Sequence, residues 1–131
     1  MAKPGFVIFA HGSTVESANE AVREVALEMS RSGGLELVEV AFLDCAPPDL
    51  PDAVERMVRR GASRVVVIPY FLTLGTHLQR DLPRIVDGIR GRHTGLDILV
   101  TAPLDGHPAL AAILLDRAKE AVGEMNGPPV R

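Results

Sequence analysis

The sequence predicts an α/β fold: a single doubly wound, four-stranded parallel sheet in the order 2-1-3-4, with helices on both faces. Three observations predict it. Short apolar runs alternate strictly with stretches whose apolar residues recur at helical spacing. One run, Val65–Ile68, is β-branched at every position, which suits a strand covered on both faces. The chain has 131 residues, the size of one ordinary domain. Right-handed crossovers then give an open sheet wound from its middle, and 2-1-3-4 is the common order for a small unit of this kind.

The elements follow in order. Phe6–Ala10 is a first, apolar strand. Ser17 and Glu20 have the spacing of a capping box, and Ala18, Ala21, Val22, Val25, Ala26 and Met29 then form a helical stripe. Gly33 and Gly34 end that helix. Leu35–Leu43 alternates and then turns fully apolar, as a second strand. Asp49 caps a second helix with Pro51 in its first turn. Leu50, Ala53, Val54, Met57 and Val58 are its inner stripe, and Gly61 closes it. The stretch "RVVVIPYF" is the third strand. Pro83 constrains the third helix, whose regular part is expected from about Arg80, with Leu82, Ile85, Val86 and Ile89 inward. "LDILVTAPL" is a fourth strand, and a fourth helix follows with Pro108 in its first turn. Residues 1–131 read as one domain, with 123–131 as a flexible tail.

Composition narrows the function. A net charge of −3 and aromatics at only 4% disfavour both a basic nucleic-acid surface and an aromatic stacking platform. A single cysteine, Cys45, permits no internal disulfide and fits a reducing cytoplasm. The first residues contain no signal peptide pattern. No stretch approaches the about 18 apolar residues of a membrane span.

The expected order makes strands one and three neighbours, with connections leaving in opposite directions. Ligands bind at the carboxyl ends of strands at such a switch point. His11 ends strand one, and His77 follows strand three, so the fold brings two histidines to one crevice. Gly12 lets the backbone approach a ligand closely, or simply makes a tight turn. Ser13 and Thr14 precede a helix and serve either an anion or a cap. Arg80 and Arg84 follow His77 by three and seven residues, on one helical face if the helix extends back that far. Asp44 is a candidate carboxylate at the same edge. Cys45 reads as a small buried residue, His107 as a helix-entry residue, and His93 as a surface residue at the opposite edge.

GxSxG, Walker A and GxGxxG motifs are absent, which disfavours a hydrolase elbow, a P-loop and a dinucleotide site. Neutral imidazole suits Co²⁺, Fe²⁺, Ni²⁺ and Zn²⁺. Two imidazoles with water completing the shell hold an ion loosely, as an enzyme that hands its metal on requires. An imidazole also accepts protons.

These residues carry a resemblance. "FAHGST" at Phe9–Thr14, "VEVAFLDCAPPDLPDAVERMVRRGA" at Val38–Ala62 and "VVVIPYFLTLGTHLQRDLP" at Val65–Pro83 resemble the short form of the sirohydrochlorin cobaltochelatase family, class II tetrapyrrole chelatases related to sirohydrochlorin ferrochelatase. The likeness runs to about Leu115. It implies a chelatase-like fold, with His11 and His77 as the metal-binding and catalytic pair. It also implies that a divalent ion (Co²⁺ first, Fe²⁺ or Ni²⁺ otherwise) enters sirohydrochlorin as a substrate without ATP, in cobalamin- or sirohaem-type tetrapyrrole biosynthesis. Short forms pair as homodimers, and long relatives fuse two units.

The expected site is therefore His11 and His77 for metal and catalysis, with Gly12, Ser13, Arg80 and Asp44 toward the tetrapyrrole. No tightly bound cofactor, nucleic acid or membrane is expected. Many family members read Phe-Leu-Glu where this chain has Phe42-Leu43-Asp44, so any carboxylate role there has a shorter reach. A rival reading is a metal or tetrapyrrole carrier without catalysis. A histidine phosphotransfer enzyme is a third, disfavoured because Ala10, not arginine, precedes His11.

Overall fold

The β-branched run forms β3, Arg64–Pro69, in the interior of the sheet. The computed structural model describes residues 3–125. Its elements are β1 (Pro4–Ala10), α1 (Glu16–Gly33), β2 (Val38–Phe42), α2 (Leu50–Arg59), β3, α3 (Thr76–Arg92), β4 (Asp97–Val100) and α4 (Ala109–Met125). The four strands pair in parallel in the order β2-β1-β3-β4. Gly123, Glu124 and Met125 belong to α4, so the start of the expected tail is helical; 126–131 lie outside the described residues. Among the described residues no helix is long and apolar enough to cross a membrane.

Strand alternation divides the core. Val7, Phe9, Val65, Val67 and Ile98 face α2 and α3 and pack with Leu50, Val54, Met57, Leu82, Val86 and Ile89. Ile8, Ala10, Val40 and Phe42 face the other way, onto Ala26 and Val22 of α1. Across β3 burial alternates: Val65 and Val67 are fully buried, whereas Val66 and Ile68 are only half-buried. The run is therefore covered on one face and half open on the other, because α1 covers β1 and β2 and, among the described residues, no helix is seated over β3 and β4 on that side.

Four local expectations are corrected. Ser17 does not cap α1: the N-cap is Val15, and no side chain caps it. Instead the buried Asn19 bonds the backbone of Ser13 in both directions, and Glu16 fills the acidic first-turn position, its carboxyl held below the usual carboxylate range by hydrogen bonds from Arg23. The buried stripe of α1 is Asn19, Val22, Ala26 and Met29; Ala18, Ala21 and Val25 are exposed. Helix α3 begins at Thr76 and runs through Pro83. Proline lacks the amide that would bond the Gln79 carbonyl, but both residues are exposed, so that carbonyl lies on the solvent side. Finally, His93 is half-buried rather than a free surface residue: its side chain is 15% exposed, with Nε2 3.1 Å from the Glu55 carboxylate, tying the end of α3 to α2.

Candidate active site

The sheet carries His11 to its carboxyl edge and fixes it there by backbone. Beyond the strands, pairing continues: the amides of Leu43 and Asp44 donate to the carbonyls of Ala10 and His11, both at 2.9 Å. On the other side the Tyr70 amide donates to the Phe9 carbonyl at 2.7 Å. His11 is thus clamped where β1 lies between β2 and β3, at the switch point.

Gly12 is required by this clamp. Its φ is +90°, and a Cβ there would stand 1.9 Å from the Asp44 carbonyl oxygen. The close approach that demands glycine is therefore to Asp44, a backbone neighbour. Ser13 is likewise occupied locally. Its amide donates to Asn19 Oδ1 at 2.9 Å, its carbonyl accepts from Asn19 Nδ2 at 2.8 Å, and its hydroxyl accepts from the Val15 amide at 2.9 Å. The Ser13 amide is engaged, and Thr14 is exposed beside it.

His77 stands in the first turn of α3, directly after the β3 loop. It and His11, both exposed, line one cleft of about 280 Å³ with Leu43, Phe71, Gly75, Thr76, Leu78 and Asp81. The structure thus brings the two histidines together. It adds Asp81, four residues after His77 on the same helix, which the sequence reading passed over. The signal was available: His77 and Asp81 have the i,i+4 spacing of one helix face. Asn19 was also passed over; it sits on the same stripe as Val22 and Ala26, where a polar residue must have a partner.

The hydrogen bonds assign the imidazole tautomers. His11 Nδ1 lies 3.1 Å from the Gly12 carbonyl, which only accepts, so Nδ1 carries a proton and the lone pair of the neutral ring is at Nε2. His77 Nδ1 lies 3.1 Å from Arg80 Nη2, which only donates, so Nδ1 is the acceptor and Nε2 carries the proton. Arg80 also approaches the Asp81 carboxylate at 3.6 Å. Arg84, one turn on, is exposed and forms no ion pair among the described residues.

The remaining candidates sit apart from the cleft lining. The exposed Asp44 carboxylate accepts from the Cys45 amide at 2.8 Å. Cys45 is exposed, not buried, with φ of 68° at the centre of a tight turn closed by the Ala46 amide, which donates to the Asp44 carbonyl at 2.9 Å. His107 receives the Ala109 amide at 3.0 Å and so serves the entry to α4, as read from sequence. Among the described residues no three His, Cys, Asp or Glu side chains converge as a metal ligand set.

Two imidazoles, those of His11 and His77, therefore line an apolar-walled cleft at the switch point of a four-stranded parallel sheet, with Asp81 in the same lining. Comparison with known proteins gives the family. The family model described as CbiX matches residues 5–121, and the chain belongs to that family. It is 32% identical over 123 residues to the chloroplastic sirohydrochlorin ferrochelatase of Arabidopsis thaliana, covering 94% of this chain and 55% of that protein. It is 30% identical over 139 residues to the sirohydrochlorin cobaltochelatase of Methanopyrus kandleri, covering 90% of this chain and 96% of that one. The chain thus spans little more than half of the plant relative but nearly all of the archaeal one. Among solved structures, a CbiX protein of Marinobacter aquaeolei VT8 superposes with a TM-score of 0.81 at 28% identity, over 92% of this chain and 98% of that chain. SirB of Bacillus subtilis subspecies spizizenii, solved with cobalt, shares the fold with a TM-score of 0.83 at 21% identity, over 90% of this chain and 50% of that chain.

Proposed function

We propose that this chain inserts a divalent metal ion into sirohydrochlorin without ATP, as a chelatase (lyase) of cobalamin- or sirohaem-type tetrapyrrole biosynthesis. One observation carries the reading: His11 and His77 share a cleft at the switch point. Relatives named sirohydrochlorin cobaltochelatase and ferrochelatase support it. Cobalt is the favoured ion, since the archaeal relatives carry that name; Fe²⁺ and Ni²⁺ are the other candidates. The ion is a substrate, and no tightly bound cofactor is invoked.

The steps follow from the side chains. The His11 Nε2 lone pair receives the ion. His77 joins it once its Nδ1 is released by Arg80, whose guanidinium turns to a carboxylate of the tetrapyrrole; a planar fork of donors suits that partner. Leu43 and Phe71 offer an apolar wall to the macrocycle. The ion enters as two pyrrole N–H protons leave, so charge balances, and Asp81 and the imidazoles are the acceptors at hand. Gly12 and Ser13 hold the His11 loop in place, and Asp44 fixes it through its backbone.

The enzyme works as a homodimer in this reading. A cleft of about 280 Å³ falls just below the roughly 300–1,000 Å³ of ordinary small-molecule sites, and a tetrapyrrole is a large ligand, so a second copy completes the enclosure. The single cysteine supports a cytoplasmic setting.

An absorbance assay with Co²⁺ and sirohydrochlorin tests the proposal. Metallated product accumulating well beyond the protein present supports catalysis. Product that stops at one equivalent per chain supports the carrier reading instead.

A further inference from the structure

A second apolar hollow adjoins the histidine cleft, and no step of the proposed reaction uses it. It measures about 210 Å³ and opens between the start of α2 and the middle of α3. The buried Phe9, Phe42 and Leu50 line it together with the half-buried Pro51 and Ile85. Leu43 lines both this hollow and the cleft of His11 and His77. Beneath it the two are joined by an aromatic contact: Phe9 of the hollow meets Phe71 of the cleft edge to face, with ring centroids 6.1 Å apart.

The hollow is preformed. The Phe42 amide donates to the Pro48 carbonyl at 2.8 Å, and the Leu43 amide to the Ala10 carbonyl at 2.9 Å. The loop that carries Leu43 is therefore folded back and fixed. One charged side chain enters the lining, Asp49, whose Oδ1 accepts from the Asp52 amide at 2.9 Å. No cation stands in that lining. A carboxylate arm of a tetrapyrrole would meet a like charge and an apolar wall there, and both oppose it. Water finds only Asp49 as a side-chain partner, too few to hold it well. The group that suits the hollow is small, uncharged and apolar.

Sirohydrochlorin has such groups. Its two reduced rings carry methyl groups on tetrahedral carbons, which stand out of the macrocycle plane. Uroporphyrin III has the same kinds of carboxylate arm on flat, unmethylated rings. With the macrocycle against Leu43 and Phe71 and its centre at the histidines, a ring at its rim lies beside Leu43, at the border of the hollow.

We propose that the hollow is a specificity subsite that receives a ring methyl group of the tetrapyrrole. Leu43 and Ile85 seat the methyl, and Asp49 turns carboxylates away. Charge then sorts the two edges of the ligand, since Arg80 draws a carboxylate and Asp49 repels one. This rests on the proposed insertion into sirohydrochlorin and adds how that macrocycle is told from an unmethylated one.

Binding of the metal-free tetrapyrroles, read by quenching of their own fluorescence, tests it. The parent should bind sirohydrochlorin about 10-fold or more tightly than uroporphyrin III, as one methyl group in an apolar pocket provides. Ile85→Phe fills the hollow and should bring sirohydrochlorin down to the affinity of uroporphyrin III, with Co²⁺ alone binding as before in calorimetry. Asp49→Asn keeps a good helix cap and should tighten uroporphyrin III a few-fold. A preference that survives Ile85→Phe, or affinity lost for both ligands alike, overturns the subsite. So does a parent that metallates sirohydrochlorin yet binds the two ligands equally; insertion itself then stands. If circular dichroism shows Ile85→Phe unfolded, Asp49→Asn decides, and unchanged affinity for uroporphyrin III overturns the subsite. A parent that binds neither tetrapyrrole overturns the insertion reading and the subsite together.

Discussion

The Arg80 guanidinium lies 3.1 Å from Nδ1 of His77 and makes that imidazole the opposite tautomer to His11. The two histidines are therefore not equivalent: one has a lone pair at Nε2, and the lone pair of the other is held by a cation. Arg80→Met removes the hold and also the proposed carboxylate partner. Co²⁺ alone should bind the variant a few-fold more tightly, as befits an exposed charged hydrogen bond of about 1 kcal/mol, while KM for sirohydrochlorin rises ~10-fold. Calorimetric titration of Co²⁺ and steady-state kinetics check the two halves; unchanged metal affinity would remove Arg80 from the account of His77.

Gly12→Ala should be strongly destabilising. The added methyl meets a backbone carbonyl, which cannot swing aside, at a φ that L-residues avoid. A loss of about 2 kcal/mol or more is expected in urea unfolding, with insertion lost through displacement of His11. Asp44→Ala keeps that carbonyl and removes only the side-chain bond to the Cys45 amide. It should cost about 1 kcal/mol and leave most of the turnover; abolished turnover with intact stability would instead assign the carboxylate to the chemistry.

Asn19→Ala tests the support of the His11 loop. Asn19 is 2% exposed and satisfies both backbone groups of Ser13. Its removal should cost ~2 kcal/mol, because two polar groups lose their partner. Because Asn19 is not itself part of the cleft lining, the variant should lower kcat more than it changes metal affinity. Stability within ~0.5 kcal/mol of the parent would contradict that role.

The other two histidines are controls. His107→Ala removes the acceptor for the Ala109 amide and should cost roughly 0.5–1 kcal/mol, as helix-entry caps do, with most activity kept. His93→Ala should cost about 1 kcal/mol through its lost contact with Glu55, again with activity kept. Thermal unfolding and initial rates measured side by side separate these effects.

Much of this molecule is legible in its sequence because burial drives it. The β-branched run at Val65–Ile68 marked the interior strand, Asp49 marked a helix start, and strict alternation implied the order of the sheet. His11 and His77 could be brought together because strand ends at a switch point converge whatever the loops do. What escaped depends on atoms, not patterns. The Ser13–Asn19 exchange replaces the expected capping box, and nothing in residue spacing distinguishes the two. The tolerance of Pro83 inside α3 depends on which way one carbonyl faces. Asp81 was visible only as a letter in a motif until the helix was known to begin at Thr76. The exposure of α4 escaped because apolar residues at helical spacing suggest a covered face, and the described residues supply no cover.

The most direct measurement of the central claim is the initial rate of cobalt-sirohydrochlorin formation by the parent protein, His11→Ala, His77→Ala and the double variant. Both residues are exposed loop or helix-end positions, so each variant should remain folded. Residues that act as one unit lose their effect together. Either single substitution should bring the rate to that of the double variant, at the uncatalysed background. Near-parental turnover in either single variant would contradict it.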